Sequence, residues 1–260
     1  MPFTVSHIAA VLPGYRPLTR AHAFTAAVIG SMVPDFGLLV PGFMARWQTH
    51  SLVGLFTFCL PVGLTAYWLT VLLIRPAMIE VVPDGAYLRL RAAQPPASIR
   101  QLSAWLYAAA ALLLGAATHL IWDAFTHENA RGVRMFPLLT DYGPEMAGHS
   151  VHLYRWLQYG SSLFGLAVVV AALSVWLHHA PAPVERPIRR IGWPERLVWL
   201  GAYVVPTLLA IAWLLWRPWP AGQSPLESGE ALGEVAVAGM RSAVGSLLLV
   251  SVLIRARLAV

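Results

Sequence analysis

Residues 52–74 read LVGLFTFCLPVGLTAYWLTVLLI, without one charged side chain. A helix needs about 20 apolar residues to cross the hydrocarbon core of a bilayer, so this stretch is expected to span a membrane. Working outward, Ser103 to Trp122, Gln158 to Leu177 and Leu197 to Trp216 are three more uncharged runs of that kind, and only His119 among them could acquire a charge. Two weaker segments flank these four. His22 to Val40 is apolar but is interrupted by Pro34-Asp35, and Ala236 to Ile254 is apolar but carries Arg241. The expected fold is therefore all-α, a polytopic transmembrane helical bundle of five or six spans. The first segment either re-enters the membrane or is broken at Pro34.

Composition agrees. Only 12% of the residues are charged, about half the fraction usual in soluble domains. A soluble fold would have to bury several helices that are apolar on every face. The gaps between apolar runs are short, so residues 1–260 read as one integral membrane domain. Residues 1–165 carry the polar motifs described below, and 166–260 add further transmembrane helices. Met1 to Ala10 lacks a basic region and is followed by Pro13-Gly14, so no signal peptide is expected. Cys59 is the single cysteine, and a small buried side chain is its expected role.

The net charge of +6 comes from arginine alone, because the chain has no lysine. Nucleic-acid binding needs a clustered basic face. Here the arginines are spread through the linkers, which excludes that partner and suits membrane lipid headgroups. Loop arginines also orient the spans. With six spans and an inside N-terminus, the inside holds Arg16, Arg20, Arg75, Arg89, Arg91, Arg100, Arg186, Arg189, Arg190, Arg196, Arg255 and Arg257, twelve in all, against five outside: Arg46, Arg131, Arg134, Arg155 and Arg217. If the first segment does not cross, Arg16 and Arg20 change sides and the split becomes ten against seven. Both arrangements place the C-terminus in the cytoplasm and the 126–157 linker outside. The expected location is a bacterial inner (cytoplasmic) membrane. Trp193, Trp199, Trp216 and Trp219 lie near span ends, where indoles anchor. In the 76–102 linker, Val82-Pro83-Asp84-Gly85 followed by Tyr87-Leu88-Arg89-Leu90 suggests a small hairpin on a tight turn.

Polar groups inside apolar segments are costly and hence informative. His119, Asp123 and His127 are spaced i, i+4, i+8, which puts them on one helix face. They can ligate a metal or can form a buried His–Asp hydrogen bond. Asp35 follows Pro34 at the break of an apolar segment, His50 precedes the long span beside Ser51, a suitable N-cap, and His7 follows Ser6 near the N-terminus. Each of these also fits an ordinary turn, boundary or packing role.

The order His7, Asp35, His50, His119-x-x-x-Asp123 resembles the bacterial inner-membrane family of membrane-bound metal-dependent hydrolases, and still more a related uncharacterised bacterial membrane family. In both, an N-terminal Ser-His or Thr-His, a Pro-Asp, a His-Ser before a long span and a His-x-x-x-Asp helix recur in this order. The resemblance covers most of residues 1–165. The ligand order is also similar to that of the zinc-dependent phospholipase C and single-strand nuclease superfamily. That similarity implies Asp35, His50, His119 and Asp123 around one metal, with Asp123 bridging to a second held partly by His7. A further superfamily ligand helix has no clear counterpart here. Glu145-Met-Ala-Gly-His149 runs in the reverse order, with His152 after it, and Pro144 and Gly148 disfavour a helix.

Imidazole and carboxylate without thiolate suit zinc, manganese or iron, so the expected cofactor is a divalent metal, zinc first. The expected function is a metal-dependent hydrolase acting on a phosphoester or phospholipid-like substrate at the membrane surface. Asp123 and His127 are its candidate catalytic residues, and Arg131, Arg134 and Arg155 are candidates for substrate phosphate. The alternatives are a non-catalytic membrane protein or partner subunit whose His/Asp cluster holds the bundle together, and a transporter, which the lack of a visible repeat disfavours.

Overall fold

The computed structural model describes residues 4–40, 42, 44–93, 101–146, 149–181, 191–220 and 229–259. Five helices are long and apolar enough to cross a membrane: Leu52–Val81, Leu102–Thr126, Leu153–His179, Trp193–Trp216 and Ala231–Ala259. They are called the first to fifth spans below. The chain is a multi-pass helical membrane protein. Many large apolar side chains on these helices stand exposed, among them Leu163, Phe164, Val170, Leu173 and Val175 on the third span. On a membrane helix such a face meets lipid. The linker arginines Arg100, Arg186, Arg189 and Arg190 lie outside the described residues.

The weak N-terminal segment forms no helix long and apolar enough to cross, so five such helices are present among the described residues. It consists of a helix at Phe24–Gly30 and a separate 3-10 stretch at Val33–Leu39 with Pro34 in its first turn. Proline has no N–H to donate and its ring clashes with the preceding turn, so the α-helix ends before it. Upstream, Thr4–Gly14 forms another 3-10 stretch that packs against the second span. The first span is not uniform either. It takes π-helical geometry at Leu55–Cys59 and Thr70–Ile74. Each wide turn lies just before a proline, Pro61 and Pro76, and relieves the bond that the proline cannot make.

The chain divides into two compact units, each described here by itself. Residues 1–67 and 98–178 form the first. Its tightest contact is between Phe24–Gly30 and the second span. A Cβ on Gly30 would stand 2.3 Å from the Leu112 carbonyl oxygen, and one on Gly115 would stand 2.2 Å from that of Ala27. The two backbones touch there because neither residue has a side chain. Residues 68–97 and 179–260 form the second unit. Its core is Ala77, Val81, Ile191, Val250 and Ile254. Arg196, nearly buried, pairs there with Asp84 at 3.0 Å and lies over the Trp193 ring at 4.9 Å. Trp193 and Trp216 stand exposed at the two ends of the fourth span, as interfacial anchors do.

The hairpin expected around residues 82–90 is not formed. Asp84–Ala92 is a helix, entered from extended Pro83. Asp84 in its first turn and Arg89 and Arg91 in its last complement the helix dipole, and buried Tyr87 anchors it. The short hairpin of the described residues lies elsewhere, Tyr142–Met146 paired antiparallel with His149–His152.

Candidate metal centre

Four separate segments of the first unit meet at one end of the membrane spans. The second span carries His119 and Asp123 near its C-terminal end. The 3-10 turn after Pro34 carries Asp35, and the Thr4–Gly14 stretch carries His7. His50 caps the four-residue helix Arg46–Thr49, just before the first span. Ser51 then starts that span as its N-cap, accepting from the Gly54 N–H at 2.9 Å. The start of the first span and the end of the second thus share one membrane face.

Asp35, His50, His119 and Asp123 each offer a ligand atom, and these atoms all lie within 4.8 Å of one another. His7, His119, Asp35 and Asp123 are buried, at 0%, 0%, 4% and 5% exposure. His50 Nε2 and His119 Nε2 each stand 3.4 Å from Asp123 Oδ2, and from Asp35 Oδ1 they stand 3.4 and 3.7 Å. These separations exceed the usual hydrogen bond. They match the spacing of about 3.4 Å that bonds of 2.0–2.2 Å at tetrahedral angles give between neighbouring ligands.

The outer shell fixes which nitrogens face inward. His119 Nδ1 donates to the Ser31 carbonyl at 2.7 Å, a contact made possible by the Gly30–Gly115 approach. His50 Nδ1 lies 3.1 Å from the Arg46 carbonyl. Each ring thus directs its Nδ1 at backbone and turns its Nε2 toward the carboxylates. The Nε2 atoms of His7, His50 and His119 and the Asp123 Oδ1 are buried and have no hydrogen-bond partner among the described residues. Nε2 atoms facing carboxylate oxygens call for positive charge between them, supplied by a metal ion or by ring protons. Two buried carboxylates with one arginine also leave a negative charge to balance. The donor set thus fits a divalent cation, and ligating histidines usually direct their other ring nitrogen at such a backbone carbonyl.

Asp123 faces both ways. Its Oδ1 lies 3.5 Å from His7 Nε2 and 3.5 Å from His127 Nδ1. The His7 ring stacks on His119, centroids 3.8 Å apart, with the Trp122 ring edge-on at 5.2 Å. Burial, reinforced by neighbouring His119, lowers the His7 pKa to about 4, so the ring is neutral near pH 7. Burial likewise lowers His127 to about 4. For Asp35 burial opposes ionisation, but the His50 and His119 imidazoles outweigh it and hold the carboxyl down at about 2. Thr4 Oγ1 donates to its other oxygen at 2.8 Å. His127 is the cap of the second span rather than part of it, and the Gln158 amide sits 3.1 Å from its Nε2.

Five of the histidines and aspartates singled out in the sequence, His7, Asp35, His50, His119 and Asp123, thus converge, and His127 joins them. Arg131 and Arg134 lie exposed on the short helix Arg131–Met135, and Arg155 lies 5.9 Å over the Tyr154 ring. Among the described residues no hydrogen bond or ion pair links these three to the cluster. Glu145, His149 and His152 belong to the hairpin, where His152 stacks on Tyr142 at 4.3 Å. Sequence reasoning missed Arg46, whose guanidinium is hydrogen-bonded to Asp123 Oδ2. It had been counted only as a loop charge, and its one signal is the four-residue spacing to His50. Ser31, Thr4 and Gln158 were also missed, since a backbone carbonyl and two common polar side chains carry no motif.

Fold and site together define a multi-pass helical membrane protein with a buried His/Asp cluster that could hold a metal ion. The chain belongs to the DUF4184 family, described as a domain of unknown function, whose model matches residues 1–252. No curated protein and no solved structure matches the chain.

Proposed function

We propose that this chain is a metal-dependent hydrolase of the bacterial inner membrane, acting on a phosphoester or phospholipid-like substrate at the membrane surface. The observation that carries this reading is the inward-facing set of Asp35, His50, His119 and Asp123, with the Nδ1 of both imidazoles directed at backbone carbonyls. Those four residues would hold the ion, zinc by preference of the donor set. Such an ion would supply Lewis acidity toward a phosphoryl or acyl oxygen and would acidify water. Asp123 serves both halves of the cluster, with His7 and His127 on its Oδ1 side. His127 is the proton carrier. It is neutral, less buried than His7 and held between Asp123 and Gln158. With the C-terminus cytoplasmic, as the arginine distribution favours, the site faces the extracytoplasmic side.

The test is hydrolysis of bis(p-nitrophenyl) phosphate and of phospholipid in nanodiscs by purified full-length protein loaded with zinc. Turnover should be lost in Asp123→Ala and reduced in His127→Gln. Equal turnover in wild type and Asp123→Ala would rule the reading out. The second reading is a structural cluster without catalysis. The Arg46–Asp123 pair favours it, because it neutralises one carboxylate without a metal. That reading predicts no turnover, together with a loss of thermal stability in Asp123→Ala.

A further inference from the structure

Arg46 is the one arginine that the described structure brings to the cluster. It opens the helix Arg46–Thr49. Its carbonyl accepts from Thr49 Oγ1 at 3.1 Å and lies 3.1 Å from His50 Nδ1. The same residue therefore orients a ligand through its backbone and reaches the cluster through its side chain. Its exposure sets it apart. The Arg46 side chain is 41% exposed, against 0–10% for His7, Asp35, His50, His119 and Asp123. The guanidinium is thus the cluster's outward member. One of its N–H groups is bound to Asp123 Oδ2. A guanidinium has five such donors in a planar fork, and the fork matches two oxygens of a phosphate.

Asp123 Oδ2 is also the oxygen that His50 and His119 face. A cation bound among Asp35, His50, His119 and Asp123 and the Arg46 guanidinium therefore draw on one carboxylate oxygen. Each weakens the hold of the other.

We propose that Arg46 is the oxyanion receptor of this site: a cation that draws on Asp123 frees its guanidinium, which turns its fork onto a phosphate or phosphoester oxygen presented from the open side. This rests on the metal-dependent reading above and assigns the role expected of Arg131, Arg134 and Arg155 to a different arginine. Free phosphate and a lipid headgroup offer the same chemistry to the fork.

The experiment uses full-length protein in detergent or nanodiscs, with zinc affinity measured by chelator competition. Binding of inorganic phosphate and of short-chain phosphatidic acid is then measured on the zinc-loaded protein. Wild type, Arg46→Gln, Arg46→Lys and the exposed control Arg16→Gln are compared. Arg46→Gln should keep zinc at equal or higher affinity while losing roughly tenfold or more in phosphate affinity, as for a lost charge-assisted bond. Arg46→Lys should retain an intermediate affinity, and Arg16→Gln should match wild type. Loss confined to phosphatidic acid identifies a lipid headgroup as the source, and loss for both probes identifies the phosphate group itself. Wild-type binding of both probes by zinc-loaded Arg46→Gln overturns the assignment of Arg46 alone. Loss of zinc from Arg46→Gln also overturns it, by showing that Arg46 serves to position His50. A wild-type protein that takes up no zinc instead overturns the metal-dependent reading.

Discussion

The contact between Gly115 and the Phe24–Gly30 helix decides whether His119 points correctly, so Gly115→Ala should damage the site from a distance. The new Cβ would stand 2.2 Å from the Ala27 carbonyl oxygen and 2.6 Å from the Ser31 nitrogen. Both are backbone atoms and cannot rotate away. Restoring an ordinary contact of 3.4 Å requires the facing segment to withdraw by about 1 Å. Ser31 moves with it, and its 2.7 Å bond from His119 Nδ1 stretches to nearly 4 Å, beyond the range of a hydrogen bond. Overpacking costs about 1–3 kcal/mol, and a buried donor left unpaired costs about 1–3 kcal/mol more. Loss of an outer-shell partner lowers metal affinity by roughly 10–100-fold. Gly160→Ala is the matched control. It lies inside the third span with nothing within 4 Å of the new Cβ, and helix propensity predicts a gain of up to about 1 kcal/mol. Thermal melting in detergent and zinc affinity by chelator competition read both effects. Wild-type melting and wild-type zinc affinity in Gly115→Ala would refute the link from helix contact to ligand orientation.

Three other outcomes are expected. In the second unit, Asp84→Asn should cost less than about 1 kcal/mol, because the Asp84 side chain is 75% exposed and exposed pairs contribute little. Arg196→Ala removes a buried side chain packed over Trp193 and should cost about 1–2 kcal/mol. Equal melting shifts for the two would contradict this difference. Reporter fusions after residues 140 and 180 should lie on opposite sides of the membrane, with 180 cytoplasmic; the same side for both would sink the five-span orientation. In a Cys59→Ser background, Trp47→Cys and Met135→Cys are 75% and 74% exposed sites in the unit that holds the cluster. Both should react with an impermeant thiol reagent on intact cells, and protection of both, reversed in inverted vesicles, would turn the site to the cytoplasm.

The spans were legible because a bilayer demands long uncharged runs, and Leu52 to Ile74 meets that demand without help from tertiary structure. The break at Pro34 was legible for a local reason, the missing N–H. The convergence of His7, Asp35, His50 and His119 was legible only as a shared cost: separate polar groups near apolar segments need partners. What could not be read was the device that assembles them. Gly30 and Gly115 look like any helical glycines in sequence, and only their mutual approach makes Ser31 an anchor for His119. Arg46 was misread for a similar reason. Its charge counted toward topology, whereas its contact with Asp123 spans 77 positions. The turn residues Pro83 to Gly85 suggested a hairpin, yet Asp84–Ala92 is a helix on which Tyr87 finds burial.

The central claim is that Asp35, His50, His119 and Asp123 hold a divalent cation. X-ray absorption at the zinc edge of purified, zinc-loaded full-length protein tests it most directly. The account predicts a tightly held ion with only nitrogen and oxygen neighbours at about 2.0–2.2 Å, an imidazole signature in the outer shells, and loss of the bound ion in Asp123→Ala. A protein that retains no zinc, a sulfur neighbour from Cys59, or the same spectrum in Asp123→Ala would contradict it.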